Sequence, residues 1–389
     1  MRTLIKFEFS KITNKKNIIF LITIPLLLNF IYLMNTYSYS SEEAKNHKNG
    51  IDRLYEEIHG SINYDKFEFI NEKYKELSSS SENGRADTNT TFNQKTYTGY
   101  LFGDFMLFSQ VHTKYVDAIN YESKIERKIE NLKEAKTLFK DKKEINKINE
   151  MIKIYQGREI NVFYDYQGVE ALLYNNFSTF LCLLALIFIV TQVICNEYES
   201  GNYKILFATK IGRTKVMCAK LITIIMLIFV IYTLLSLQDI CFFRINNGLN
   251  GLLSPVYVLE KLYMTFFSSS ILVAYIYTVF VRLLGLLLIS LLVTLGAIFI
   301  KKSYVLIIGT FFILFVLFSN FELSLLNPVT YLNPAKILEV LDFEFIFGIP
   351  TLKYLFAPIL LVLMITASIG IYLITYKTNN KKRGKLIWN

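Results

Sequence analysis

The residues best placed for chemistry form one short charged segment, Asn196–Lys220, called the cytoplasmic segment below. It separates two apolar runs, Phe177–Cys195 and Leu221–Leu237, which are long enough to be membrane spans. The segment therefore lies at a membrane surface, where charged groups can bind a partner. Its charged residues are Glu197, Glu199, Lys204, Lys210, Arg213, Lys215 and Lys220.

A short helix parallel to the membrane is predicted inside the cytoplasmic segment. Ser200-Gly201 predicts a turn before it, and Gly212 predicts its end. Tyr203, Leu206 and Phe207 share one helical face at i, i+3 and i+4. Acidic residues precede the helix and basic residues lie on or after it, which matches the helix dipole. The pattern predicts either an apolar docking face rimmed by charges or an ordinary solvated loop between spans.

The composition places these residues in a membrane protein. Of 389 residues, 53% are hydrophobic and 19% are charged, and the apolar residues form uncharged runs of about 20, the length of a spanning helix. These runs do not alternate as barrel strands do. The predicted fold is an all-α polytopic membrane protein.

The distribution of charge predicts the topology. The net charge is +10, and four short segments at span ends (1–16, 196–220, 301–302 and 377–389) hold 17 basic and 3 acidic residues. The long polar stretch 38–170 holds 20 basic and 23 acidic residues. By the positive-inside rule the four segments are cytoplasmic. The positive charge thus requires no nucleic-acid partner, and both termini are predicted inside the cell.

Six spans follow from this reading. The predicted segments are a cytoplasmic amphipathic helix at 1–16, spans at 17–37, 171–195, 216–238, 283–300, 303–319 and 357–376, a cytoplasmic connection at 196–215, external segments at 38–170, 239–282 and 320–356, and a basic cytoplasmic tail at 377–389.

Residues 1–16 could be an interfacial helix or the start of a cleavable signal peptide. Met1, Ile5, Phe9 and Ile12 lie on one helical face. The following apolar run is longer than that of a signal peptide and no cleavage site follows it. The interfacial helix is therefore favoured.

Residues 38–170 are long enough to form a domain. Glu42–Leu77 and His112–Tyr155 have helical composition, and the second stretch predicts an antiparallel helical pair. Asn161–Tyr166 predicts a short strand. The domain either binds something outside the cell or is a structural cap.

Arg282 is the only charged residue between 262 and 300 and separates two uncharged runs. One residue cannot join two antiparallel spans, so 283–300 is predicted to cross and 262–282 to be an interfacial or re-entrant helix. Arg282 is either a contact on the substrate path or a snorkelling anchor at the outer surface. Asn327-Pro328 and Asn333-Pro334 likewise predict re-entrant half-helices in 320–356.

Several chemistries lack their sequence signals. The chain has no phosphate-binding GxxxxGK[ST] loop, no HExxH, no GxSxG and no metal-binding cysteine spacing. The spans contain almost no ionisable residues, which disfavours ion-coupled transport and intramembrane enzymes such as lipid transferases. The chain is not predicted to be an enzyme, and energy for transport would come from a partner.

The residues of the cytoplasmic segment resemble the permease subunit of ABC-2 type exporters, in the Gram-positive peptide and antibiotic export or immunity branch. That family shows a pattern like E-x-x-x-G-x-x-x-x-L…R-x-K…K in the coupling helix between spans 2 and 3. The residues Glu197, Gly201, Leu206, Arg213, Lys215 and Lys220 match it. Lys210 stands where a proline is frequent, which puts the shape of the coupling turn in question.

The resemblance implies a dimer of permease subunits, identical or paired with a sibling, in a bacterial plasma membrane. Two ATPase subunits would bind ATP and Mg, and no cofactor would bind this chain. Glu197, Glu199 and Arg213 would orient the coupling helix, and Tyr203, Leu206 and Phe207 would fill a groove on the ATPase. The cargo would be an amphipathic or hydrophobic peptide, antibiotic or lipid-like molecule. The alternative is a receptor or immunity protein that binds a peptide externally without transport.

Overall fold

The structure is a computed structural model that describes residues 2–12, 19–38, 42–82, 97–98, 101–202, 212–319, 324–346 and 349–386. Helices dominate these residues. The α-helices are α1 (Arg2–Ile12), α2 (Ile24–Tyr37), α3 (Glu42–Ile58), α4 (Tyr64–Glu82), α5 (Leu101–Ile119), α6 (Tyr121–Leu138), α7 (Lys142–Tyr155), α8 (Gln167–Tyr174), α9 (Phe177–Val190), α10 (Asn196–Glu199), α11 (Gly212–Asn246), α12 (Ile271–Ile300), α13 (Ser303–Ser319), α14 (Ala335–Glu339) and α15 (Lys353–Leu386).

Among the described residues, five helical stretches are long and apolar enough to cross a membrane, which confirms a polytopic helical membrane protein. They are Phe20–Tyr37, Gln167–Glu199, Lys215–Asn246, Ile271–Ile300 and Lys353–Ile374. The remaining apolar helix, α13, has 17 residues and a length of about 26 Å, slightly less than the bilayer core. The sixth span therefore stays a prediction.

The stretch containing α9 forms the centre of the membrane part. In Gln167–Glu199, 72% of the most apolar window is buried inside the protein, against 17% in Phe20–Tyr37. Apolar side chains of α9, α11, α12 and α13 make one continuous cluster. By contrast, α2 exposes large apolar residues such as Leu27, Phe30 and Ile31, which suits contact with lipid chains.

The break expected at Arg282 is absent, so the separate helix predicted for 262–282 is wrong. Helix α12 runs without interruption from Ile271 to Ile300 and begins at Ser270, whose hydroxyl accepts a bond from the Val273 amide. Helix α11 likewise continues beyond the predicted end at 238 and ends at Asn246. Buried partners allow single charged residues to remain inside these helices, as shown below.

A second body, the polar module (described residues between 42 and 166), contains α3 to α7. Helices α3, α4 and α5 enclose an apolar core that includes Leu54, Ile70 and Phe108. Helices α6 and α7 pack as a pair, as the sequence pattern predicts. A short antiparallel ladder joins β1 (Gly60–Ser61) to β2 (Val162–Phe163), which confirms the strand expected near 161–166.

The proline-containing segment before α15 packs directly against α12. It forms a 3₁₀ turn over Pro328–Leu332, then α14 and a hairpin of β3 (Phe343–Ile346) and β4 (Ile349–Leu352). A Cβ atom at Gly285 of α12 would lie 2.9 Å from the Cβ atom of Tyr331, so this close approach requires glycine. The turn is buried in protein, as expected for irregular backbone next to membrane helices.

Candidate functional site

Five residues of π-helix, Thr191–Cys195, follow α9 and lead into the cytoplasmic segment, which begins with the short helix α10. Gly201 has a φ of 74°, in the left-handed region that glycine favours, so the predicted turn is present. Tyr203, Lys204, Leu206, Phe207 and Lys210 lie outside the described residues. The chain continues in α11 from Gly212.

A buried ion network joins the two ends of this segment to α1. Lys220 is 2% exposed and Glu8 is 3% exposed, although both are charged. The Lys220 ammonium lies 2.9 Å from a Glu8 carboxylate oxygen and 2.7 Å from a Glu197 oxygen. It also donates to the backbone carbonyl of Val193 at 3.0 Å. Lys11 completes the network at 2.6 Å from Glu197.

The composition of this network explains why it can be buried. An ammonium group has three hydrogens to donate, and Lys220 has three acceptors. Two lysines and two glutamates leave no net charge, and buried charges are tolerated when they are paired and hydrogen-bonded. The carbonyl that Lys220 binds belongs to the π-helical segment. The network thus fixes α1, the π-helix with α10, and the start of α11 relative to one another.

Glu199 connects the cytoplasmic segment to the start of α13, directly after the basic stretch 301–302. Its carboxylate accepts a bond of 2.6 Å from the backbone amide of Ser303, the first residue of α13. Lys301 forms the tight turn before α13, with a φ of 58°. Three of the four positively charged stretches identified in the sequence therefore meet at one end of the helical bundle, as a shared membrane face requires.

Three further residues predicted for the site lie on α11 and α12. Lys215 is exposed on the first turns of α11, where a partner could reach it. Arg213 lies on the first turn of the same helix. Arg282, predicted as a surface anchor or substrate contact, is 3% exposed and lies inside the bundle, so the snorkelling interpretation is wrong.

Arg282 belongs to a buried polar junction that the sequence analysis missed. Its guanidinium donates to the Leu173 carbonyl at 2.9 Å and to the Asn176 side chain at 2.8 Å, between α8 and α9. Asn29 of α2 is fully buried and donates to Asp239 at 2.8 Å and to Gln238 at 3.1 Å on α11.

Two signals in the sequence point to this junction. Asn29 is a polar residue inside an otherwise apolar span, and Gln238-Asp239 ends the apolar run of α11. Polar groups inside a membrane protein usually face one another.

Some atoms here, including Asn29 Oδ1 and Thr179 Oγ1, have no protein partner among the described residues, which is typical of groups that bind internal water.

The comparison with protein families identifies this architecture. The model of the ABC-2 family transporter protein matches residues 2–371, so the chain belongs to the ABC-2 family of transporters. A comparison with curated proteins and one with solved structures find no match. Family membership confirms the resemblance to ABC-2 type permeases, and the Gram-positive branch stays a prediction. It makes the chain the membrane component of an ABC transport system, a component that associates with an ABC ATPase and is generally not catalytic itself.

Proposed function

We propose that this chain is the permease subunit of an exporter and that its cytoplasmic segment receives the ATPase. The observation that carries the proposal is the Glu8–Lys11–Glu197–Lys220 network. It connects both ends of the cytoplasmic segment to α1 and to the π-helical residues that follow α9. A docked partner can move spans only through such a stiff connection.

Force applied to the cytoplasmic segment would reach the centre of the bundle. The segment continues directly into α9 on one side and α11 on the other, and these helices share the main apolar cluster. Packed helices transmit displacement because their interiors compress little. ATP-driven closure of two ATPase subunits would therefore tilt α9 and α11 together and open a path to the outside.

The proposed cargo is an amphipathic or hydrophobic peptide, antibiotic or lipid-like molecule. The apolar, aromatic-rich spans support this choice, and the charged groups described in the bundle are engaged with protein partners. The proposed assembly contains a second permease subunit in a bacterial plasma membrane. The positively charged segments support cytoplasmic termini for this chain.

Co-purification of the tagged chain with an ABC ATPase from its native cells tests the proposal. Phe207→Asp and Arg213→Glu should each reduce the amount of bound ATPase at least about tenfold, as expected when a central interface residue is replaced. Tyr64→Asp is a matched control, because Tyr64 is an exposed aromatic residue of the polar module. Full ATPase binding by both variants would refute the assignment of the cytoplasmic segment.

Cargo export is tested separately in cells that carry the complex. Protection against an added peptide antibiotic should disappear when the ATPase cannot hydrolyse ATP. Protection that persists without hydrolysis would instead support the receptor or immunity alternative, in which the peptide is bound but not moved.

A further inference from the structure

A cavity of about 500 Å³ lies between the polar module and the connection from α11 to α12. Its size falls within the range of small-ligand sites, which often occur where two parts of a protein meet. One wall comes from α5 and the residues after β2, including Thr113, Lys114 and Tyr164. The opposite wall comes from Val258, Leu259 and neighbouring residues.

The two walls are held together by bonds from side chains to backbone atoms. Tyr263 donates to the carbonyl of Asp117 at 3.1 Å, and Tyr155 donates to the carbonyl of Met264 at 2.8 Å. Arg158 donates to Thr265 at 2.7 Å and stacks on Tyr257, with 4.9 Å between the guanidinium carbon and the ring centroid. The cavity is therefore formed before any ligand binds.

The lining combines aromatic rings with negative charge. Tyr55, Phe163, Tyr164, Tyr166 and Tyr263 supply the rings. Asp117, Glu170 and Glu260 line the cavity together with one lysine, Lys114, and the first two carboxylates also pair with lysines outside the lining. Aromatic faces and carboxylates both attract a cation, and the rings also bury an apolar body.

The existing partners of these carboxylates leave room for an incoming cation. Asp117 pairs with Lys124 at 2.6 Å and Glu170 pairs with Lys261 at 3.2 Å. The Lys124 and Lys261 side chains are 42% and 57% exposed, so these pairs are weak and can exchange. Glu260 is exposed and forms no ion pair with a described residue.

We propose that this cavity binds a cationic amphipathic peptide, with a basic side chain near Glu260 and an adjacent apolar side chain against the tyrosines. This inference rests on the proposed function in one respect, that the bound peptide is cargo.

Binding is measured on the full chain in phosphatidylcholine nanodiscs by fluorescence anisotropy. The probes are two labelled 12-residue peptides, one of leucine and lysine and one of leucine and glutamate. The lysine peptide should bind and the glutamate peptide should not. Glu260→Lys should weaken binding of the lysine peptide about tenfold, whereas Lys114→Glu should strengthen it several-fold. Glu68→Lys, an exposed charge reversal outside the cavity, should change nothing.

The outcomes separate this inference from the proposed function. Equal binding by empty nanodiscs, or no effect of Glu260→Lys, overturns the cavity as the site. ATP-dependent export that is unchanged by Glu260→Lys overturns the claim that the bound peptide is cargo, while export itself stands. Charge-dependent binding by a chain with which no ABC ATPase co-purifies from cells supports the site and refutes the proposed function.

Discussion

Lys220 of α11 and Glu8 of α1 form a buried ion pair of 2.9 Å although 212 positions separate them in the chain. Glu197 shares the same ammonium at 2.7 Å. The amphipathic N-terminal helix, α10 and the start of α11 are therefore one mechanical unit. In a transporter of this family, that unit adjoins the segment proposed to receive the ATPase.

Replacing Lys220 by methionine should destabilise the protein by about 3–5 kcal/mol, because it removes the nearest cation from the buried Glu8 carboxylate. The cation that remains, Lys11, lies 3.6 Å from Glu8. Thermal unfolding of the purified chain measures the loss. Lys215→Met, an exposed substitution on the same helix, is the control and should change the free energy of unfolding little. The double variant Glu8→Gln/Lys220→Met should lose less than the two single losses combined, because the partners interact directly. Equal stability of Lys220→Met and Lys215→Met would contradict the network.

Asn29→Leu should destabilise the bundle by about 1–3 kcal/mol, because it removes the amide that donates to the buried Asp239 carboxylate and to Gln238. The variant should also loosen α2 from α11, which faster hydrogen exchange in both helices would reveal. Asn35→Leu makes the same change on an exposed position of α2 and should have little effect. Similar exchange rates in the two variants would show that the junction does not hold α2.

Asp165 should make the polar module less stable as the pH rises. Burial raises the pKa of its carboxyl above the ordinary value of 3.8, with Asp52 adding to this effect and Lys114, Lys48 and the Gln167 amide opposing it. The folded state therefore holds the proton more tightly than the unfolded state. Its stabilising contribution is complete below pH 3.8 and is lost as the pH rises through the folded-state pKa.

Asp165→Asn keeps the acceptor for the Gln167 amide but removes the charge, so it should flatten this pH dependence. Hydrogen exchange of α5 and α8 between pH 4 and pH 7, corrected for the intrinsic exchange rate, compares the variant with the parent chain. A parent chain whose protection relative to the variant increases with pH would reverse the predicted sign.

The periodicity and charge of the sequence were sufficient for the membrane class and for most helices. Uncharged runs such as Phe177–Cys195 can bury their backbone polar groups in lipid only as helices, so these segments follow from composition. The matched residues of the cytoplasmic segment indicate the family through their types and spacing alone. These features depend on residues close together in the chain.

The tertiary structure alone decided where the isolated polar residues lie. Arg282 was predicted to separate an interfacial or re-entrant helix at 262–282 from the span at 283–300, yet α12 continues through it. A lone charge inside such a helix is costly. The carbonyl of Leu173 and the side chain of Asn176 remove that cost, and they lie more than 100 positions away. Glu8 and Lys220 find each other in the same way. Local periodicity contains no information about such distant partners, so only the packing of the helices could reveal them.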